Sequence, residues 1–272
     1  MARYVFLLIV VLTGTYYFYS EYISVPKQKT RVLFIGNSLT YTNDLPKMIS
    51  EIADTGERKM DYQSITPGGS RLIQHAQNKK VLDELMEGTW DFIVLQEQSQ
   101  YPGFAEKQLK KYVYAPAKKL VELARKSNPS AVIVFYMTMA RKKGDPGNAH
   151  ISSDLNSYGG MQKRVNRAYL RLAKINKSDV APVGEAWEFF RLKHPGIEIY
   201  SDDIHPNVIG TYLAACVFYS TFFARPCTDT KVPKTVPLSI AKEIQSITDK
   251  VVLSTSNKWR WTQRDTLQSM AD

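Results

Sequence analysis

The sequence predicts an α/β domain built on a parallel sheet, and three observations carry that prediction. Short apolar runs such as Val32–Ile35 and Phe92–Leu95 alternate with stretches of helical period. The runs are rich in valine and isoleucine without in–out alternation, as in strands buried on both faces. The 272 residues, 44% of them hydrophobic, suffice for one large core.

At the N-terminus, Arg3 precedes an almost unbroken apolar run from Tyr4 to Tyr19. That run is roughly sixteen residues, just short of the ~20 of a spanning helix. A cleaved signal ends in small residues, whereas this run ends in Tyr16-Tyr17-Phe18-Tyr19, which suits a membrane interface. The expectation is an uncleaved signal anchor over residues 1–20, with the rest exported and held at the membrane. The alternative is a cleaved signal and a secreted protein. Lys27, Lys29 and Arg31 beyond the run, against Arg3 before it, leave the charge rule undecided. Residues 21–30, with Pro26, read as a tether.

The main domain spans 31–226. Val32–Ile35 is its first strand, which stops at Gly36 and delivers Ser38 to the start of a helix. Leu45, Met48, Ile49 and Ile52 then share one face of a helix over 45–54. A second strand, Met60–Ile65, breaks at Thr66-Pro67-Gly68-Gly69-Ser70. After a short helix at 80–86 comes the third strand, Phe92–Leu95, ending in Gln96-Glu97-Gln98-Ser99-Gln100. A helix over 106–126 is expected to kink at Pro116. The fourth strand is 131–137. Residues 141–157, rich in Gly, Pro, Asn and Ser, read as a lid or binding loop over the carboxyl end of the sheet. A helix at 160–175, a short last strand at Val180–Val183, a helix through Trp187–Leu192, a loop at 200–206 and a strongly apolar helix at 207–223 follow. Beyond Pro226, Leu238, Ala241, Ile244, Ile247 and Val251 recur at helical spacing. Residues 227–272 therefore read as an amphipathic helix on the main domain plus a tail. Trp259-Arg260-Trp261 reads as a surface tail, a membrane contact or a sugar-stacking platform.

The net charge of +10 is spread over doublets and triplets such as Lys79-Lys80 and Arg141-Lys142-Lys143. This is either a solvated basic face or the mark of an anionic neighbour, phospholipid or acidic polymer. Nucleic acid is not expected, because no recognisable module accompanies the charge. Two cysteines, Cys216 and Cys227, are too few for a disulfide framework or a zinc site. The helical rise between them predicts two separated, unpaired thiols. No cluster suggests a metal or cofactor, and no Gly-x-Gly-x-x-Gly turn follows a strand.

A serine at the carboxyl end of a parallel strand is either a helix cap or a nucleophile. A nucleophile needs a base, and the chain has four histidines: His75, His150, His194 and His205. Only His205 stands in a segment, Tyr200-Ser-Asp-Asp-Ile-His-Pro206, that also carries Asp202 three residues earlier. One turn can aim both side chains at one pocket, the carboxylate fixing the imidazole tautomer.

Together these residues resemble the SGNH (GDSL-like) hydrolases. Gly36-Asn37-Ser38-Leu39 resembles the first block, Pro67-Gly68-Gly69-Ser70 the glycine block, and Asp202-Asp-Ile-His-Pro206 the closing block, across about 31–223. The resemblance implies a flavodoxin-like three-layer α/β/α sandwich with strand order 2-1-3-4-5. It implies Ser38 as nucleophile, His205 as base and Asp202 as its partner, with the backbone N–H groups of Ser38 and Gly69 in the oxyanion hole. The third block departs from the family: Leu95-Gln-Glu-Gln-Ser99 stands where most members have Gly-x-Asn-Asp. A glutamine amide can donate as asparagine does, and Gln98 is preferred, with Gln96 and Gln100 as alternatives. Asn37, Gln96 and Glu97 are candidate substrate contacts, Glu97 alternatively capping a loop. The expected activity is serine esterase action on an acyl ester, O-acetyl on a carbohydrate, without a cofactor. The alternatives are an O-acyltransferase on a cell-envelope glycan or a non-catalytic envelope-binding module.

Overall fold

Alternate residues of β1 (Thr30–Ile35) point to opposite faces of the sheet, and the residues from Leu33 to Ile35 are fully buried on whichever face they point to. Val32 and Phe34 join Val94, Val134 and Tyr136 in one core. Leu33 and Ile35 join Ile93, Leu95, Ile133 and Phe135 in the other. Two apolar faces explain why the strands carry no in–out alternation.

The computed structural model describes residues 29–54, 59–228 and 230–261. Its sheet contains β1, β2 (Met60–Ile65), β3 (Phe92–Leu95), β4 (Val132–Tyr136) and β5 (Asp179–Ala181). All pairs are parallel, in the order β2-β1-β3-β4-β5. This is the flavodoxin-like three-layer topology expected. Ile35 pairs with Ile65 on one side and Leu95 on the other. Gly36, Thr66 and Gln96 therefore leave the sheet at one level, across the point where the strand order reverses.

The helices are α1 (Ser38–Tyr41), α2 (Leu45–Ala53), α3 (Leu72–His75), α4 (Lys79–Met86), α5 (Ala115–Ser127), α6 (Tyr158–Asn176), α7 (Val183–Lys193), α8 (Val208–Phe223) and α9 (Leu238–Val252). Apolar residues of α2, α7, α8 and α9 cover one face of the sheet. Those of α4, α5 and α6 cover the other. Helix α8 is apolar all round because it is buried all round. Its Phe218 and Phe222 meet Phe34 of β1 edge-on.

Several elements differ from expectation. The helix expected over 106–126 is divided: an α turn at Glu106–Leu109, a π turn at Lys110–Tyr114, then α5. Pro116 has no N–H to donate, and the widened π turn just before it absorbs that break in the ladder. Val183 opens α7 instead of ending the last strand, since Pro182 stops β5 from continuing. Trp259 and Arg260 are buried, so they form neither a surface tail nor an exposed platform. Trp259 Nε1 donates to Val251 O at 2.8 Å, and Arg260 Nη2 donates to Ser220 O and Thr221 O, each at 3.1 Å. The arginine thus ties down carbonyls in the last turn of α8, where Ser220 O also accepts from Ala224 N at 3.1 Å. Cys216 and Cys227 are free and buried. Burial and the neighbouring Cys227 push the Cys216 thiol up, and Cys227 Sγ lies 3.4 Å from Thr230 Oγ1.

The expected anchor over 1–20 and the tether to residue 28 lie outside the described residues, as do residues 262–272. Thr30, assigned to the tether, is the first residue of β1. Among the described residues no helix is long and apolar enough to cross a membrane.

Candidate active site

The turn after β1 is clamped from three sides. Asn37 caps α1, its Oδ1 accepting from Leu39 N at 3.1 Å, while its Nδ2 donates to Ser70 O at 2.8 Å. The capping role open to Ser38 therefore falls to Asn37. Asn37 is 2% exposed, with its Oδ1 and one Nδ2 hydrogen engaged within the protein, so it is turned away from a substrate. Its backbone N donates to Gln96 Oε1 at 2.9 Å, and Thr40 Oγ1 donates to the same oxygen at 3.0 Å. Gly36 permits this approach: a Cβ there would stand 2.5 Å from Gln96 Oε1. Beneath the turn, buried His75 donates from Nε2 to Gly36 O at 2.8 Å. Desolvation lowers the pKa of His75, which favours the neutral ring.

Ser38 is left with its hydroxyl directed at His205, whose Nε2 lies 2.9 Å from Oγ. His205 Nδ1 lies 2.8 Å from Asp202 Oδ2. An ionised carboxylate only accepts, so Nδ1 carries the proton and Nε2 is the acceptor for the serine hydroxyl. Asp202 also shapes the turn, its Oδ1 accepting from the N–H groups of Ile204 and His205, each at 2.6 Å. Desolvation pushes the carboxyl up, but the N–H and imidazole of His205 and the N–H of Ile204 outweigh it. The result is a pKa lowered to about 2. The Asp202 side chain is 56% exposed and that of His205 29%, so the site is open to solvent.

The glycine block forms a turn in which Ser70 N donates to Pro67 O at 3.2 Å. Gly69 takes φ +66°, which is why glycine stands there. Asn37 holds this turn beside α1 through Ser70 O. Among the described residues neither the Ser38 nor the Gly69 backbone N–H donates within the protein. Both stay available to a developing oxyanion.

The third block divides its work differently from the expectation. Gln96 is fully buried, its oxygen accepting twice and its Nε2 donating to Glu97 O at 2.6 Å. It is neither oxyanion donor nor substrate contact. Glu97 is also fully buried and accepts from Gln98 N at 2.7 Å and Leu72 N at 3.3 Å. It ties the third block to the chain just after the glycine block, and its burial rules out sugar binding. Gln98 is half-buried: Oε1 accepts from Gln100 N at 2.8 Å and Nε2 donates to Gln100 Oε1 at 3.2 Å. Gln100 Nε2 in turn donates to Asp145 Oδ2 at 3.0 Å. Among the described residues, Gln98 and Gln100 each keep one amide N–H without a partner. The 141–157 loop bridges this block and the histidine turn: Arg141 Nε donates to Ser99 Oγ at 3.3 Å and Lys142 N to Asp203 O at 2.8 Å.

Glu97 gives a prediction for stability. Burial raises its pKa to about 8, against the pull of the Gln98 and Leu72 N–H groups and the Arg71 charge. The folded state therefore holds a proton that the unfolded state releases near its ordinary value. Stability falls as pH rises from about 4.5 to about 8 and then levels off. The total is on the order of 5 kcal/mol. Glu97→Gln flattens this slope, as urea unfolding at pH 5 and pH 9 will show; an unchanged slope contradicts the assignment.

Among the described residues no group of His, Cys, Asp and Glu side chains could hold a metal ion. No protein-family model and no curated protein matches the chain. The structure is similar to a DUF4886 family protein from Bacteroides uniformis, with TM-score 0.71 and 19% identity, covering 87% of this chain and 99% of that one. It is similar to a protein from Slackia heliotrinireducens assigned to the SGNH hydrolases, with TM-score 0.58 and 26% identity, covering 71% and 99%. The acetyl xylan esterase AlAXEase shares the fold at TM-score 0.54 and 15% identity, over 70% and 98%. By its strand order and these likenesses, the chain has the fold of the SGNH (GDSL-like) hydrolases.

Proposed function

We propose that the protein is a serine esterase that removes short acyl groups, acetyl foremost, from a carbohydrate. The observation that carries this reading is the continuous Ser38–His205–Asp202 hydrogen-bond chain beside two uncommitted backbone N–H groups. Ser38 Oγ attacks the ester carbonyl as His205 Nε2 takes its proton, and Asp202 stabilises the imidazolium. The Ser38 and Gly69 N–H groups, with one amide N–H of Gln98, receive the oxyanion. Collapse expels the alcohol, which takes the proton from His205, and leaves an acyl-serine. Water, deprotonated by the same imidazole, then releases the acid and restores Ser38.

Two features favour a short acyl group on a bulky carrier. The catalytic turn is open rather than tunnelled, with Asp202 half exposed. Tyr41, three residues after Ser38 on α1, is 52% exposed and offers an aromatic face on the same side of that helix. An N-terminal anchor over residues 1–20 would present this site outside the cytoplasm.

Full-length protein should hydrolyse p-nitrophenyl acetate faster than the octanoate, and release acetate from acetylated oligosaccharides. Transfer to an added sugar outpacing hydrolysis would favour the acyltransferase. The absence of both turnover and fluorophosphonate labelling would favour the binding module. Gln98→Ala should lower kcat by about 10²-fold with little change in KM. Full activity in that variant moves the donor role to Gln100.

A further inference from the structure

Between α1 and α2 the chain passes through two successive left-handed residues, Asn43 at φ +53° and Asp44 at φ +50°. Asparagine and aspartate tolerate this region best among residues with a Cβ, yet it persists only where surrounding contacts hold it. Asp44 is held locally, its Oδ1 accepting from Lys47 N at 3.3 Å to cap α2. Asn43 is held by a distant segment. Its Nδ2 donates to Pro206 O at 3.1 Å and to Thr211 Oγ1 at 2.9 Å. Thr211 Oγ1 donates onward to Asn207 O at 3.0 Å, so both acceptors belong to the junction of the His205 turn with α8.

The placement links the two halves of the catalytic pair. Asn43 follows Ser38 by five residues, and Pro206 is the immediate neighbour of His205. Among the described residues, the hydrogen bonds joining segment 36–44 to segment 198–211 are these two and the Ser38–His205 bond. On its other flank the His205 turn is held by the 141–157 loop, through Lys142 N and Asp203 O. We propose that Asn43 is a positioning residue that sets His205 against Ser38, its left-handed backbone aiming the amide at Pro206. This proposal rests on the esterase reading of the site.

Asn43→Gly and Asn43→Asp in the full chain test it. Glycine adopts the left-handed region freely but has no amide, so the variant should keep or raise its Tm. Its kcat should fall by about 10²-fold with KM nearly unchanged, and fluorophosphonate labelling should slow in proportion. Asn43→Asp keeps the left-handed tolerance but lacks the N–H, and should lose kcat likewise. Wild-type kcat in Asn43→Gly overturns the proposal, as does a loss of activity explained by a matching loss of folded protein. If the wild-type protein neither turns over esters nor labels, the esterase reading fails instead. The positioning role is then read from a crystal structure of Asn43→Gly: a lengthened Ser38–His205 contact supports it, and the 2.9 Å contact retained overturns it.

Discussion

Replacing Ser38 with alanine should lower kcat on acetyl esters by on the order of 10⁴- to 10⁶-fold while leaving the fold intact. The size follows from the role: without Oγ no acyl-enzyme forms, and water must attack the ester directly beside His205. Residual turnover comes from substrate binding and from N–H groups that the substitution leaves in place. Stability should change little, because Ser38 caps nothing; Asn37 supplies the cap and Gln96 holds the turn. Steady-state kinetics with matched Tm values checks this. Retained turnover, or a large fall in Tm, contradicts it.

His205→Ala should be almost as damaging, on the order of 10⁴-fold in kcat, again with KM little changed. Here Ser38 keeps its hydroxyl but loses the acceptor 2.9 Å away, so attack has to proceed from a neutral alcohol. Asp202→Asn should cost less than His205→Ala. Its side chain is 56% exposed, so solvent screens part of the charge it lends the imidazolium. The pH profile gives an independent check. With its pKa at about 2, Asp202 stays ionised across mildly acidic and neutral pH. Asp202 should therefore add no transition of its own to the acid limb of kcat/KM above about pH 3. Two acid-side transitions in that range would mean that the carboxylate is not held as the geometry indicates.

The sheet was legible because its strands have few ways to be written: Val32–Ile35, Phe92–Leu95 and Val132–Tyr136 are apolar on both faces, as a covered parallel sheet requires. The order of the strands was not written in any local pattern and came only through the resemblance. Asp202 and His205 could be paired from sequence because they share one turn, and their geometry follows from its Asx bonds. The inner face of the third block was not legible. Gln96 and Glu97 are polar and follow a strand at the carboxyl edge, which reads as substrate contact, yet both turn inward and are fully buried. Asn43 escaped notice for a different reason: its partner lies 163 residues away, and a left-handed asparagine has no periodic signature. Trp259-Arg260 misled through composition, since a basic-aromatic pair near a chain end looks like surface until its partners on α8 and α9 are known.

The proposed mechanism turns on Ser38 being a nucleophile, and covalent labelling tests that most directly. After treatment of the full-length protein with a fluorophosphonate, peptide mapping should place a single adduct on Ser38, absent from Ser38→Ala and strongly slowed in His205→Ala. An adduct on another residue, or one that survives in Ser38→Ala, would contradict it.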